Sequence, residues 1–280
     1  MKFSQVEDGI GQGLQRARGI GRIASKQRDR RTRLDTLFQE GCCKIRLPNT
    51  HSDALEAVFI NTAGGITGGD HLQWGADVSD GGHLVVTTQA CERLYRSTGA
   101  TARVETRLKV GAGAHLDWLP QETILFEASK LDRRLDVDLG EGATLTAIEA
   151  VLLGRDAMGE DARIALLRDN WRISREGRLV HAEATTLSAQ AAERDGLSLL
   201  AGNRAFATVL HVAADAPRAE TLANRIRAML PQGEAIAVSA NGERLVIRAM
   251  APTGLALRRM IVPTLIELTG AGSLPRLWHL

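Results

Sequence analysis

A glycine-centred repeat constrains this chain more than any other feature. An apolar residue, two residues, glycine, two residues and leucine recur as Val78-x-x-Gly81-x-x-Leu84, Val110-x-x-Gly113-x-x-Leu116 and Leu139-x-x-Gly142-x-x-Leu145. The spacings are 32 and 29 residues. Each copy follows an alternating, strand-like run and precedes another apolar one. Units of this length cannot bury an apolar face alone, so they stack on one another. With strands and no intervening helix, the expected form is mainly β: stacked sheets or a β-helix-like solenoid. Hairpins joined by glycine turns give the same spacing and stay open as the simpler alternative.

The pattern from Leu34 to Leu187 supports strands, with LEAVFI (55–60), HLVVTT (83–88), ARVETRLKV (102–110) and RRLDVDL (133–139) bounded by glycines. Helical spacing appears only in the C-terminal half. Pro217 to Leu230 carries Leu222, Ile226, Met229 and Leu230 on one face, with Pro217 suited to a first turn. Gly254 to Leu268 is the second helix, with a kink or break expected at Pro263. Residues 34–280 are read as a single domain.

Residues 1–33 are read as a basic, flexible N-terminal arm. Arg16, Arg18, Arg22, Lys26, Arg28, Arg30, Arg31 and Arg33 face one acid, Asp29. A solvated arm is the plain expectation, and docking on an acidic partner is the alternative. Over the whole chain, 35 basic residues nearly balance 33 acidic ones, and aromatics are 4%. Neither value suggests nucleic-acid binding. Three cysteines, two of them adjacent, make no disulfide framework and fit a reducing, cytoplasmic setting. No leader pattern or apolar run of membrane-spanning length is present, so no membrane association is expected.

Chemistry-bearing motifs are few. The segment Asn61-Thr62-Ala63-Gly64-Gly65-Ile66-Thr67-Gly68-Gly69-Asp70 lacks the Gly-Lys-Ser/Thr of a phosphate loop and opens no helix. It reads as a tight turn that presents Asp70, with no nucleotide bound. The seven histidines, His51, His71, His83, His115, His181, His211 and His279, show no zinc-protease spacing. His71 and His83 flank a strand near Asp70 and are minor candidates. No nucleophile elbow exists. A hydrolase using Glu122, Glu127 or Glu149 has no paired carboxylates at defined separation to support it. The residues favour a binding or scaffold protein over an enzyme.

Counted from each repeat leucine, Thr88 lies at +4, Gln121 and Glu122 at +5 and +6, and Glu149 at +4. Stacked coils would align these polar groups in a row. Such a row is costly to bury unless it is paired, hydrated or bound to an ion.

Several segments together resemble one family. NTAGGITGGD (61–70), TTQACERLYRS (87–97), WLPQETILFEAS (118–129), LLGRDAMGE (152–160) and the ending LPRLWHL occur in the order of the urease accessory protein family UreD, also called UreH. The resemblance implies a mostly β fold with a few helices. It implies a complex with UreF and the GTPase UreG, docked on apo-urease, with GTP hydrolysed by the partner. It further implies that Ni(II) passes through UreF and this chain into the urease active site. No permanently bound cofactor is implied.

A conduit for Ni(II) needs oxygen or imidazole groups that bind weakly and in series, because tight thiolate cages would trap the metal. Asp70 and Glu149 are the first candidates for transient nickel contact. Thr88, Gln121 and Glu122 are second choices. The alternative is a purely structural adaptor that opens apo-urease without conducting metal. Where relatives carry an apolar or Gly-Pro start to the early strand, this chain has Gly41-Cys42-Cys43-Lys44, whose thiols offer only opportunistic metal contact. Arg258, Arg259, Leu277 and Trp278 are candidates for partner contact, with docking onto the chain's own body as the alternative.

Overall fold

The computed structural model describes residues 15–50, 52–155, 158–269 and 274–279. His51, residues 1–14 of the expected arm, residues 156–157 of the fourth block and Leu280 lie outside the described residues.

The described residues open with the hairpin β1 (Arg18–Arg28) and β2 (Arg31–Gly41), followed by the antiparallel pair β3 (Cys43–Arg46) and β4 (Leu55–Asn61). It then winds in coils. The first holds β5 (His71–Val78), β6 (His83–Thr88) and the short β7 (Glu92–Leu94). The second holds β8 (Ala102–Val110), β9 (His115–Leu119) and β10 (Thr123–Leu125). The third holds β11 (Lys130–Leu139) and β12 (Thr144–Leu153). β13 (Leu166–Arg175) begins the next turn, and β14 (Arg178–Leu187) folds back on it. A short α1 (Ala191–Asp195) leads to β15 (Ala205–Val212), α2 (Ala216–Met229), β16 (Ile236–Asn241), β17 (Arg244–Ala251) and α3 (Gly254–Thr269). A 3₁₀ turn at Arg276–Trp278 follows.

Two sheets result. One has the order β14-β13-β11-β8-β5-β1-β2, parallel from β13 to β1. The other has the order β16-β17-β15-β12-β9-β6-β4-β3, parallel from β12 to β4. Alternation of the chain between two parallel sheets makes a β-solenoid-like stack, as the repeat predicts.

The repeat is the coil itself. Val78 pairs with Val110, which pairs with Leu139. Leu84 pairs with Leu116, which pairs with Leu145. All six are buried and fill the space between the sheets. Gly81, Gly113 and Gly142 turn the chain from one sheet to the other at φ of 65°, 60° and 64°. A Cβ at any of them meets nothing within 4 Å, so the torsion and not the space demands glycine.

A second apolar layer lies outside. Ile148 and Val209 alternate away from the interior, and with Ile247 they pack against Ile226 of α2 and Leu257, Ile261 and Leu265 of α3. Helix α2 starts where Asp215 accepts from the Arg218 amide (2.9 Å), with Pro217 in the first turn. Helix α3 is not broken at Pro263, because its apolar face holds it on the sheet.

The basic segment departs from the expected arm. β1 lies between β2 and β5, with Gly19, Gly21, Ile23 and Ser25 inward and Arg18, Arg22 and Lys26 outward. The two glycines make room for neighbours. A Cβ on Gly21 would sit 2.4 Å from the Trp74 ring, and one on Gly19 would sit 2.6 Å from the Cys43 amide. The C-terminus also differs from an exposed segment. Trp278 is buried, donates from Nε1 to the Leu119 carbonyl (2.9 Å) and lies under the Arg258 guanidinium (4.6 Å). The terminal segment therefore docks on the chain's own body, while Leu277 stays exposed. No described helix is long and apolar enough to cross a membrane.

Candidate functional site: a polar cavity inside the stack

The interior is apolar where the repeat leucines stack and polar at the far end of the coils. A cavity of about 370 Å³ opens there between the two sheets. Thr88, Gln121 and Glu149 all line it, one from each successive coil. The side-chain alternation explains this. In β12, Leu145 and Ala147 point into the core, Ile148 and Ala150 point out, and Glu149 points in again. Phe59, Trp74 and Trp118 form the apolar wall, with Phe59 stacked on Trp74 at 4.8 Å and edge-on to Trp118 at 5.9 Å.

Glu149 is not a lone ligand. Its Oε2 is paired with Arg133 Nη1, and its Oε1 accepts from Trp118 Nε1 (3.3 Å). Arg133 also grips Asp169 with two bonds, Nε to Oδ1 (3.1 Å) and Nη2 to Oδ2 (2.7 Å), and donates to Thr123 Oγ1 (3.1 Å). One guanidinium thus serves two carboxylates, all three groups being less than a tenth exposed. Burial pushes the Glu149 carboxyl above its usual range; Arg133 opposes this and the Asp169 charge adds to it. Arg133, despite its own burial, is held charged by both acids.

A second acid lines the same cavity. Glu92 on β7 accepts from Asn61 Nδ2 at 3.1 and 3.2 Å. Burial raises its carboxyl to about 7, against the pull of the Asn61 hydrogen bond. The cavity therefore holds two acids whose burial favours the protonated form, and two arginines, Arg133 and Arg93, on its lining. Arg133, Asp169 and Glu92 escape sequence reasoning, because Arg133 sits in RRLDVDL, which reads as an exposed charged strand.

Gln121 also bridges outward: its backbone amide donates to Thr88 Oγ1 (2.8 Å) and its side-chain Oε1 accepts from Arg258 (3.0 Å). Glu122 is paired with Arg258 (2.9 Å) and accepts from Cys91 Sγ (3.3 Å). It lines a neighbouring cavity of about 590 Å³ that shares Cys91 and Arg93 with the first. Burial pushes the Cys91 thiol up to about 12, with the Glu122 charge adding, so it stays protonated.

Asp70 is buried in the glycine-rich turn. Its Oδ2 accepts from the Thr67 amide (2.8 Å) and its Oδ1 from the Ala17 amide (2.8 Å), which ties the turn to the start of β1. It does not line either cavity. Gly65 and Gly68 permit the close packing: an added Cβ would fall 2.4 Å from the Tyr95 ring and 2.1 Å from Ser97 Oγ. Burial raises both the Cys42 and Cys43 thiols, and neither is poised as a thiolate ligand.

Of the minor histidines, His71 lies 3.3 Å from Glu105. His83 joins His115 and Asp117 on the outer face of the second sheet. His83 Nε2 and His115 Nε2 are each 2.9 Å from a separate Asp117 oxygen.

The family model described as "UreD urease accessory protein" matches residues 17–279. A urease accessory protein UreD from Chelativorans sp. (strain BNC1) is 60% identical over 280 residues, covering all of both chains. The protein of that name from Rhizobium etli is 48% identical over 267 residues, 95% of this chain and 96% of the relative. The one from Agrobacterium fabrum is also 48% identical, over 95% of this chain and 92% of the relative.

Proposed function

The chain belongs to the UreD urease accessory protein family, and we propose that its part in urease maturation is to pass Ni(II) toward apo-urease through the interior cavity. The partners in this reading are UreF, the GTPase UreG and apo-urease. The setting is cytoplasmic, and the chain is a metallochaperone scaffold, neither an enzyme nor a nucleotide binder. The observation that carries it is the alignment of Thr88, Gln121 and Glu149 from three successive coils on one cavity, which Glu92 also lines. Oxygen donors in series bind a hard-to-borderline divalent ion without trapping it. Burial favours the protonated form of Glu149 and Glu92, so an arriving dication displaces their protons, which return as it leaves.

The test is urease activation at limiting nickel with Glu149→Gln and Glu92→Gln chains in the full accessory complex. Capture of UreF, UreG and apo-urease is scored in parallel. Activation falling several-fold while capture is unchanged is expected. Full activation by both variants would remove the cavity from the nickel route. One observation favours the adaptor reading: Arg133 already occupies Glu149, and a guanidinium repels a dication. Under that reading interface variants fail and cavity variants do not.

A further inference from the structure

We propose that His83, His115 and Asp117 form a binding site for a first-row divalent cation on the outer face of the second sheet. It is separate from the interior cavity and does not depend on the nickel-passage reading. The three side chains come from adjacent strands in register: His83 pairs with His115 across β6 and β9, and Asp117 stands two residues further along β9. Alternation puts all three on the face opposite Leu84 and Leu116. Their ligand atoms all lie within 4.8 Å of one another. Two imidazoles and a carboxylate suit Ni(II), Zn(II) or Co(II), and they do not suit the oxygen-seeking Mg(II) or Ca(II).

The site is built and accessible. Asp117 is 1% exposed, whereas the His83 and His115 side chains are 29% and 19% exposed. An ion therefore reaches the imidazoles from solvent while the carboxylate anchors it from beneath. His115 has a backing partner: its Nδ1 lies 2.6 Å from Thr144 Oγ1. With Nδ1–H donating to that hydroxyl, Nε2 is the nitrogen turned toward Asp117, which is the ligand arrangement second-shell groups impose. His211, the neighbouring buried imidazole, is bonded to Thr146 Oγ1 (3.1 Å) through Nδ1. Burial lowers its pKa to about 4, so it stays neutral and adds no repelling charge at neutral pH. In the metal-free protein, protons on the two Nε2 atoms hold the imidazoles on Asp117. The cation takes the place of those protons: a neutral ring moves its Nε2 proton to Nδ1, and a doubly protonated ring releases one to solvent.

The experiment is calorimetric titration of the full chain with Ni(II) and, separately, Zn(II). The wild type is compared with His83→Ala and His115→Gln, and melting curves confirm that each is folded. His83→Ala removes the more exposed ligand and so risks the fold least. One saturable site is expected, weakened by about ten-fold or more in both variants. Co(II) loading should give ligand-field absorption without a thiolate charge-transfer band. A wild type with no saturable site, an unchanged affinity in folded His83→Ala, or a thiolate band placing the ion on cysteine would each overturn the proposal.

Discussion

The two faces of one sheet carry two differently built carboxylate sites. Asp117 and Trp118 are neighbours in β9, yet Asp117 points outward to two imidazoles and Trp118 points inward to Glu149. Inside, the counter-charge is Arg133, a permanent cation locked to Asp169 as well. Outside, the partners are histidines, which can give up a proton to a metal. A fixed cation suits a site that must keep its shape away from bulk solvent. Exchangeable partners suit a site that meets solvent. The pKa shifts follow the same division: burial lifts the inner carboxyl, whereas the histidines hold the outer one below its usual range despite burial.

The comparison breaks most severely at Arg133. Arg133→Ala leaves Glu149 and Asp169 buried without their shared cation. Such a loss destabilises by about 3–5 kcal/mol. Denaturant unfolding should show it, and a change below 1 kcal/mol would mean that the triad is not desolvated.

Glu92 offers a pH test of the same interior. Its folded-state value near 7 lies above the usual 4.5, so the folded chain holds the extra proton between those values. Its contribution to stability is present below pH 4.5 and is lost as pH rises through 7, on the order of 3 kcal/mol. Unfolding midpoints of the Glu92→Gln chain across this window should have a flatter pH dependence than those of the wild type. An identical slope would place the titrating group elsewhere.

Gly113 supports both faces, because its turn delivers β9. Gly113→Ala puts a Cβ into a left-handed turn with free space around it, at a cost of about 1 kcal/mol. Thermal melting should shift by a few degrees. A much larger loss would mean that the turn is packed.

The coil architecture was legible in the sequence because the turn glycines and the stacked Val and Leu positions recur at the coil length. Thr88, Gln121 and Glu149 were legible for the same reason: position within a coil sets which residues share a height. Arg133 was not, because alternation says which face a strand residue takes and not whether that face is covered. The β1 strand was hidden by its inward residues. Gly19 and Gly21 carry no hydrophobic signal, since Cys43 and Trp74 fill the core there instead. Asp70 was foreseen at the end of a tight turn, but its two backbone hydrogen bonds depend on the N-terminal segment passing beside it.

The interior cavity, lined by Glu149, is proposed as a route for nickel. The most direct measurement is the nickel dose dependence of urease activation by the accessory complex carrying Glu149→Gln. A curve displaced to higher nickel by several-fold, with the same plateau, is the predicted result. A curve superimposed on the wild type, with the complex intact, would contradict it.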